Sequence, residues 1–212
     1  MQVKILSEHG YNEALFGLGL SHGVTSGLEY KTDFTLMSAN ILAVCRENEK
    51  ADAMKARYNR MEAVAQKLAD RGNGHDKFLR QICVWLDITA PRYFWPEMDQ
   101  YKVATVTQSE STMHTIHKQP FTQDMFQDGD VPESYLEYLN ELREKFLQTK
   151  DKEVWKKIIK HKPESYLQRR ILTCNYAPLR NIIEQRTGHR LSEWAVFIDS
   201  IRSQCQHPEL LP

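Results

Sequence analysis

The chain opens with alternating polar and apolar residues, "QVKIL" at residues 2–6, a period of two that predicts a short strand. "YNEALFGLGLSHG" (residues 11–23) then shifts to helical spacing and stops at glycine. Residues 32–72 predict one or two helices. Ala53, Met54, Ala56, Met61, Val64 and Leu68 recur at three-to-four spacing there, and Gly72 and Gly74 end the pattern. Residues 78–95, "FLRQICVWLDITAPRYFW", return to a period of two. Ile82, Val84, Leu86 and Ile88 share one face, while Cys83, Trp85 and Asp87 share the other. That alternation predicts a strand with one buried side. Pro91 and Pro96 bracket a break or a helix start, and "YKVATVTQSESTMHTI" (residues 101–116) predicts a second β-prone stretch.

The second half changes character. Residues 121–131, "FTQDMFQDGDV", are acidic and turn-rich, which predicts an exposed loop. "VPESYLEYLNELREKFLQT" predicts an amphipathic helix with Pro132 in its first turn and Tyr135, Leu136, Leu139, Leu142 and Phe146 along one face. "KEVWKKIIKHK" predicts another, interrupted by Pro163. "NYAPLRNIIEQR", from Asn175 to Arg186, reads as one helix ending near Gly188, and "LSEWAVFIDSIRSQC" as the last helix, with Ser192 as a candidate N-cap. Strands early and central, then helices late, define an α+β class. We expect one domain over residues 1–212.

Composition narrows the functions. Hydrophobic content of 41% supports a packed core. Lys plus Arg (28) balances Asp plus Glu (28), so no surplus of positive charge is present to hold a nucleic acid; a small anion needs only a local basic pocket. No apolar run approaches the ~20 residues of a membrane span. The first ten residues, "MQVKILSEHG", are too polar for a signal peptide. Cys45, Cys83, Cys174 and Cys205 are scattered without a CxxC pair, which argues against zinc and for reduced thiols in the cytoplasm. No phosphate-binding glycine loop of the P-loop or Rossmann kind appears, and His114 and His117 lie in a β-prone stretch that gives no metal site. Glu97 and Asp99 flank Met98 and would point together only in a strand, as an acid–base pair or as a solvated rim.

The helix at 175–186 carries two asparagines and an arginine. At about 100° per residue, Asn175 and Asn181 are offset by about 120°, and Asn181 and Arg186 by about 140°. They form no single stripe. Either they contact different parts of one extended ligand, or each asparagine bonds local backbone.

The run from Pro163 to Arg190 resembles the C-terminal motif of the flavin-dependent thymidylate synthases, the ThyX family, with matches at Pro163, Asn175, Leu179, Asn181 and Arg186. "GHDKFLRQICVWLDITAPRYFWPEMDQYK" (residues 74–102) is similar to a second family element, with Gly74, His75, Ala90 and Pro91 at matching positions. The signature RHR-x-x-S-x-N-E-x-S-x-R-Y is altered. Gln100, Tyr101 and Lys102 stand for Arg, His and Arg; Thr105 stands for Ser, and Thr107 and Gln108 for Asn and Glu. Lys77 and Arg80 stand where a hydroxyl residue and a glutamate are usual.

The resemblance implies a ThyX-like fold, with a central, mostly antiparallel sheet, flanking helices and a helical C-terminal half. It implies FAD as cofactor, NADPH and methylenetetrahydrofolate as co-substrates, and one-carbon transfer to C5 of dUMP or another deoxyuridine nucleotide. It places His75, Gln100, Tyr101, Lys102, Asn175 and Asn181 at the flavin, and Ser109, Glu110, Ser111 and Lys160 at the substrate phosphate. Arg186 becomes the base-facing catalytic cation, a role suited to a permanently charged planar donor. A homotetramer follows, with the flavin between subunits and Trp155 or Trp194 as interface anchors. The altered triplet leaves a competing reading: a non-catalytic scaffold or nucleotide-binding protein that has lost charged contacts, each contributing about 1.5–3 kcal/mol.

Overall fold

The computed structural model describes residues 1–31 and 49–212; the predicted helix pattern across 32–48, with Cys45, lies outside the described residues. Strand β1 (Gln2–His9) leads through Gly10 into helix α1 (Tyr11–Ser21). Helix α2 (Glu49–Ala69) is followed by a 3₁₀ turn (Lys77–Gln81) and strand β2 (Cys83–Pro91). A one-turn helix α3 (Trp95–Met98), strand β3 (Val106–Ser109) and a one-turn helix α4 (Thr112–Thr115) occupy the middle. Helices α5 (Glu133–Thr149) and α6 (Lys152–His161), strand β4 (Leu167–Asn175), and helices α7 (Tyr176–Arg186) and α8 (Ser192–Gln204) complete the chain.

The four strands form one antiparallel sheet in the order β1-β2-β4-β3. Its architecture is α+β, as the sequence predicts. In β2 the predicted face is buried: Val84, Leu86 and Ile88, with Ile82 just before them, are 0% exposed. These side chains meet Leu15, Met61, Leu79, Leu179, Trp194 and Phe197 from the helices on that face. Cys83, Trp85, Asp87 and Thr89 point the other way and are half-buried, and every residue of β3 is exposed. A period of two on a sheet covered on one side gives this split.

Several expectations change. The β-prone run at 101–116 yields only the four residues of β3, because Ser111 starts a helical turn. Residues 121–131 are not a simple exposed loop: Phe121, Phe126 and Val131 are buried in a second core with Ile116, Leu136, Leu139 and Ile158 under α5 and α6. The helical second half is interrupted by β4, which lies inside the sheet between β2 and β3. Ser192 is the first residue of α8 rather than its cap, which is Leu191. Trp194 is no interface anchor. It is 0% exposed, with its indole against Phe94 and Phe197.

Two backbone devices set the β1–α1 corner. Gly10 has φ of 96°, and a Cβ there would collide with the Gln81 carbonyl oxygen. Only glycine fits both demands. The contact presses the 3₁₀ turn against the start of α1.

Candidate functional site

Strand β4 and helix α7 meet at Asn175. It ends the strand opposite Cys83 and caps the helix, its Oδ1 accepting from the Ala177 N–H at 3.1 Å. The predicted helix therefore begins one residue later, with Asn175 at its N-cap. The other N–H groups of the first turn are also accounted for: Tyr176 donates to Ile82 O at 3.0 Å, and Pro178 has none.

Facing this corner is a tightly wound loop. Tyr101 N–H donates to Met98 O (3.1 Å), Lys102 N–H to Gln100 O (3.0 Å), and the Thr105 hydroxyl to Tyr101 O. Ala104 holds φ of 57°, a left-handed conformation unusual for a residue with a Cβ and of the kind that gathers at ligand sites. Loop and corner enclose a cleft of about 450 Å³. Gln100, Tyr101, Lys102, Asn175 and Asn181 all line it, so five positions from two distant segments converge. Arg80, from the 3₁₀ turn, lines it too, and no carboxylate does.

Arg186 lies behind Tyr101 and is not part of that lining. Its Nε donates to the Tyr101 hydroxyl oxygen at 2.7 Å, and Nη1 donates to Glu97 Oε2 at 2.9 Å. The guanidinium also stacks on Trp194, 4.7 Å from the ring centre, and that indole donates to the same Glu97 oxygen at 2.8 Å. The Tyr101 hydroxyl in turn donates to Gln185 Oε1 at 3.1 Å. Glu97 and Asp99 thus have separate partners: Asp99 accepts from Arg170 at 3.0 Å, because α3 is helical and turns the two carboxylates apart.

The remaining predicted residues lie elsewhere. His75 is exposed in the turn after α2, its N–H bonded to Gly72 O. Ser109 ends β3 opposite Arg170, and Ser111 caps α4; both are exposed. Glu110 borders a different cleft of about 360 Å³, with Lys118, Gln119 and Tyr166. Lys160 is exposed on α6. The next lysine, Lys162, is 5% exposed beside the Tyr166 ring, and burial depresses its ammonium to about 8. Sequence reasoning missed Arg80 as a cleft residue and Glu97 as the partner of Arg186. The charge reversal at Arg80 relative to the family pattern was a signal for the first; no spacing pointed to the second.

A second polar cleft, about 430 Å³, is lined by Glu8, Tyr11, Asn12, Glu13, Tyr58 and His207 among others. Its groups bond to one another and their surroundings. Glu8 accepts from the Tyr176 hydroxyl (2.7 Å) and the Gln206 N–H (3.0 Å), Tyr58 donates to Asn12 (3.0 Å), and Tyr11 donates to Glu62 (3.2 Å). Burial pushes the Tyr58 phenol up to about 12 and raises those of Tyr11 and Tyr176 further. Among the described residues, no cluster with metal-ligand character occurs, and no helix is long and apolar enough to cross a membrane.

The fold so defined is that of the flavin-dependent thymidylate synthases. A crystal structure of ThyX from Helicobacter pylori complexed with FAD and dUMP aligns with TM-score 0.69 and 12% identity, over 100% of this chain and 98% of that one. A second structure of the same enzyme with FAD and dUMP gives TM-score 0.68 and 13% identity, over 100% and 97%. No protein-family model and no curated protein sequence matches the chain.

Proposed function

We propose that the chain binds FAD in the cleft between the 100–104 loop and α7. There it transfers a one-carbon unit to C5 of a deoxyuridine nucleotide, with methylenetetrahydrofolate as carbon donor and NADPH as reductant. One observation carries the reading: Gln100, Tyr101, Lys102, Asn175 and Asn181 line a single cleft on a fold shared with FAD-binding ThyX structures. The donor set suits the group. The amides of Gln100, Asn175 and Asn181 both donate and accept, as a flavin ring edge requires, and the cationic lining suits a diphosphate. When bound, reduced flavin supplies the hydride.

The chain's own residues supply position and charge. The 100–105 hydrogen bonds hold the loop against the flavin, and the Asn175 cap fixes its own amide at the cleft edge. In this reading Arg186 donates to the developing negative charge on the pyrimidine, with its plane set by Trp194 and Glu97. One chain contributes one wall of the site, and a homotetramer contributes the rest.

A second reading, a non-catalytic nucleotide-binding scaffold, draws on one observation: the Glu97 carboxylate already neutralises Arg186 at 2.9 Å. Titration with FAD followed by turnover of dUMP separates the two. The enzyme reading predicts a yellow complex and product. It also predicts that Arg186→Ala keeps FAD and loses turnover by on the order of 100-fold, as for loss of one electrostatic donor. FAD binding without turnover in the unaltered chain supports the scaffold. A chain that takes up no FAD removes the enzyme reading.

A further inference from the structure

We infer that Arg80 is the principal anion-recognising side chain of the cleft and makes it select phosphorylated over unphosphorylated ligands. The inference rests on the proposed cleft and deepens it, assigning the choice of phosphorylated ligands to one side chain of the lining.

The lining contains two cations, Arg80 and Lys102, and no carboxylate. Among the described residues, neither side chain has a hydrogen-bond or ion-pair partner, whereas Arg92, Arg143, Arg169, Arg170, Arg180 and Arg186 are each bridged to an acid. The helix start cannot supply the anion contact here. The first-turn N–H groups of α7 are spent on Ile82 O and Asn175 Oδ1, and the third position is Pro178. Arg186, the remaining nearby cation, lies outside this lining and is bonded to Tyr101 and Glu97. The charged side chains that an anion meets in the lining are therefore Arg80 and Lys102, beside the Val103 and Ala104 backbone. Of these, the guanidinium presents a planar fork that can grip two phosphate oxygens at once, where an ammonium presents a point charge.

The 3₁₀ turn holds this donor in place. Phe78 and Leu79 within the turn are 3% and 0% exposed, which anchors it in the core, while Arg80 is exposed. Gly10 packs against the Gln81 carbonyl directly after it.

The test uses the full chain and three probes: FAD, ADP as a flavin-free diphosphate, and riboflavin as a phosphate-free flavin. Arg80→Gln is expected to weaken FAD and ADP by about 10-fold, the lower end for one charge-assisted hydrogen bond at an exposed site, and to leave riboflavin unchanged. Arg80→Lys should restore part of the loss. Equal affinity of Arg80→Gln and the unaltered chain for both FAD and ADP would overturn the inference. So would an equal loss for riboflavin, which would mark a structural role. If the chain binds ADP but neither flavin, the flavin reading falls, while an Arg80-dependent ADP affinity still upholds the anion site. If it binds none of the three, both fall.

Discussion

Asn175 lines one cleft, and the adjacent Tyr176 bonds the Glu8 that lines another, of similar size and opposite chemistry. The first, about 450 Å³, is lined by two cations without partners among the described residues and by three side-chain amides. The second, about 430 Å³, is lined by Glu8, Glu13, two tyrosines and two histidines whose bonds run largely within the protein. Both are polar, and both gather residues remote in sequence. What separates them is unused hydrogen-bonding capacity. The carboxylate-lined cleft stabilises the fold by satisfying its own donors, and the cationic cleft leaves donors open for something else.

The contrast breaks most visibly at Glu8, which is 8% exposed. Glu8→Ala leaves the Tyr176 hydroxyl and the Gln206 N–H without their acceptor. We expect a loss of about 2–4 kcal/mol in urea unfolding with FAD affinity unchanged. A stability change under 1 kcal/mol would mean that the network is dispensable.

Lys162 comes next and tests burial away from both clefts. Its folded ammonium titrates at about 8 instead of the ordinary 10.5, chiefly through burial. Below pH 8 both folded and unfolded chains carry the proton, and the full penalty of burying charge applies. Between 8 and 10.5 the folded chain binds fewer protons than the unfolded one, so this group's contribution to stability rises with pH. Lys162→Met should be more stable than the unaltered chain at pH 7 by roughly 1–3 kcal/mol, and the gap should close as pH approaches 10. A gap that widens instead contradicts the assignment.

Asn175→Ala sharpens the comparison, since Asn175 belongs to the open cleft and to the fold at once. Loss of the cap should lower stability by about 1 kcal/mol in thermal unfolding, together with weaker FAD binding. Asn181, exposed on the next turn and bonded only to Gln185 at 2.9 Å, should give the smallest structural effect. Asn181→Ala is expected to stay within about 0.5 kcal/mol of the unaltered chain while FAD titration shows several-fold weaker binding. Unchanged affinity would place Asn181 outside the ligand's reach.

Much of the fold was legible in local periodicity. The alternation of Ile82, Val84, Leu86 and Ile88 specified the buried face of β2, and the apolar stripe of Leu136 and Leu139 specified α5, because each pattern answers to a single covering layer. β4 was not legible. Its run "LQRRILTCN" places Arg169 and Arg170 side by side, and only pairing with both β2 and β3 makes it a strand. The Phe121–Val131 stretch misled through its acids: Asp124, Asp128 and Asp130 face outward or partly so, and Phe121 and Phe126 carry the burial. At the site, the resemblance singled out Gln100, Tyr101, Lys102, Asn175 and Asn181, which the fold brings together. The Glu97–Arg186 pair depends on a one-turn helix meeting the end of α7, and no local pattern encodes that meeting.

The pairing of β2 with β4 has a consequence for how the molecule comes into being. Cys83 and Asn175 are partners across that ladder, so the cationic cleft has no second side until the last quarter of the chain has been made. During synthesis one hydrogen-bonding edge of β2 must wait for a neighbour that emerges late, a long-range closure that slows folding and prolongs exposure. Under the proposed function, uptake of FAD would then report completion: only a chain translated through α7 and docked in register has both sides of the cleft.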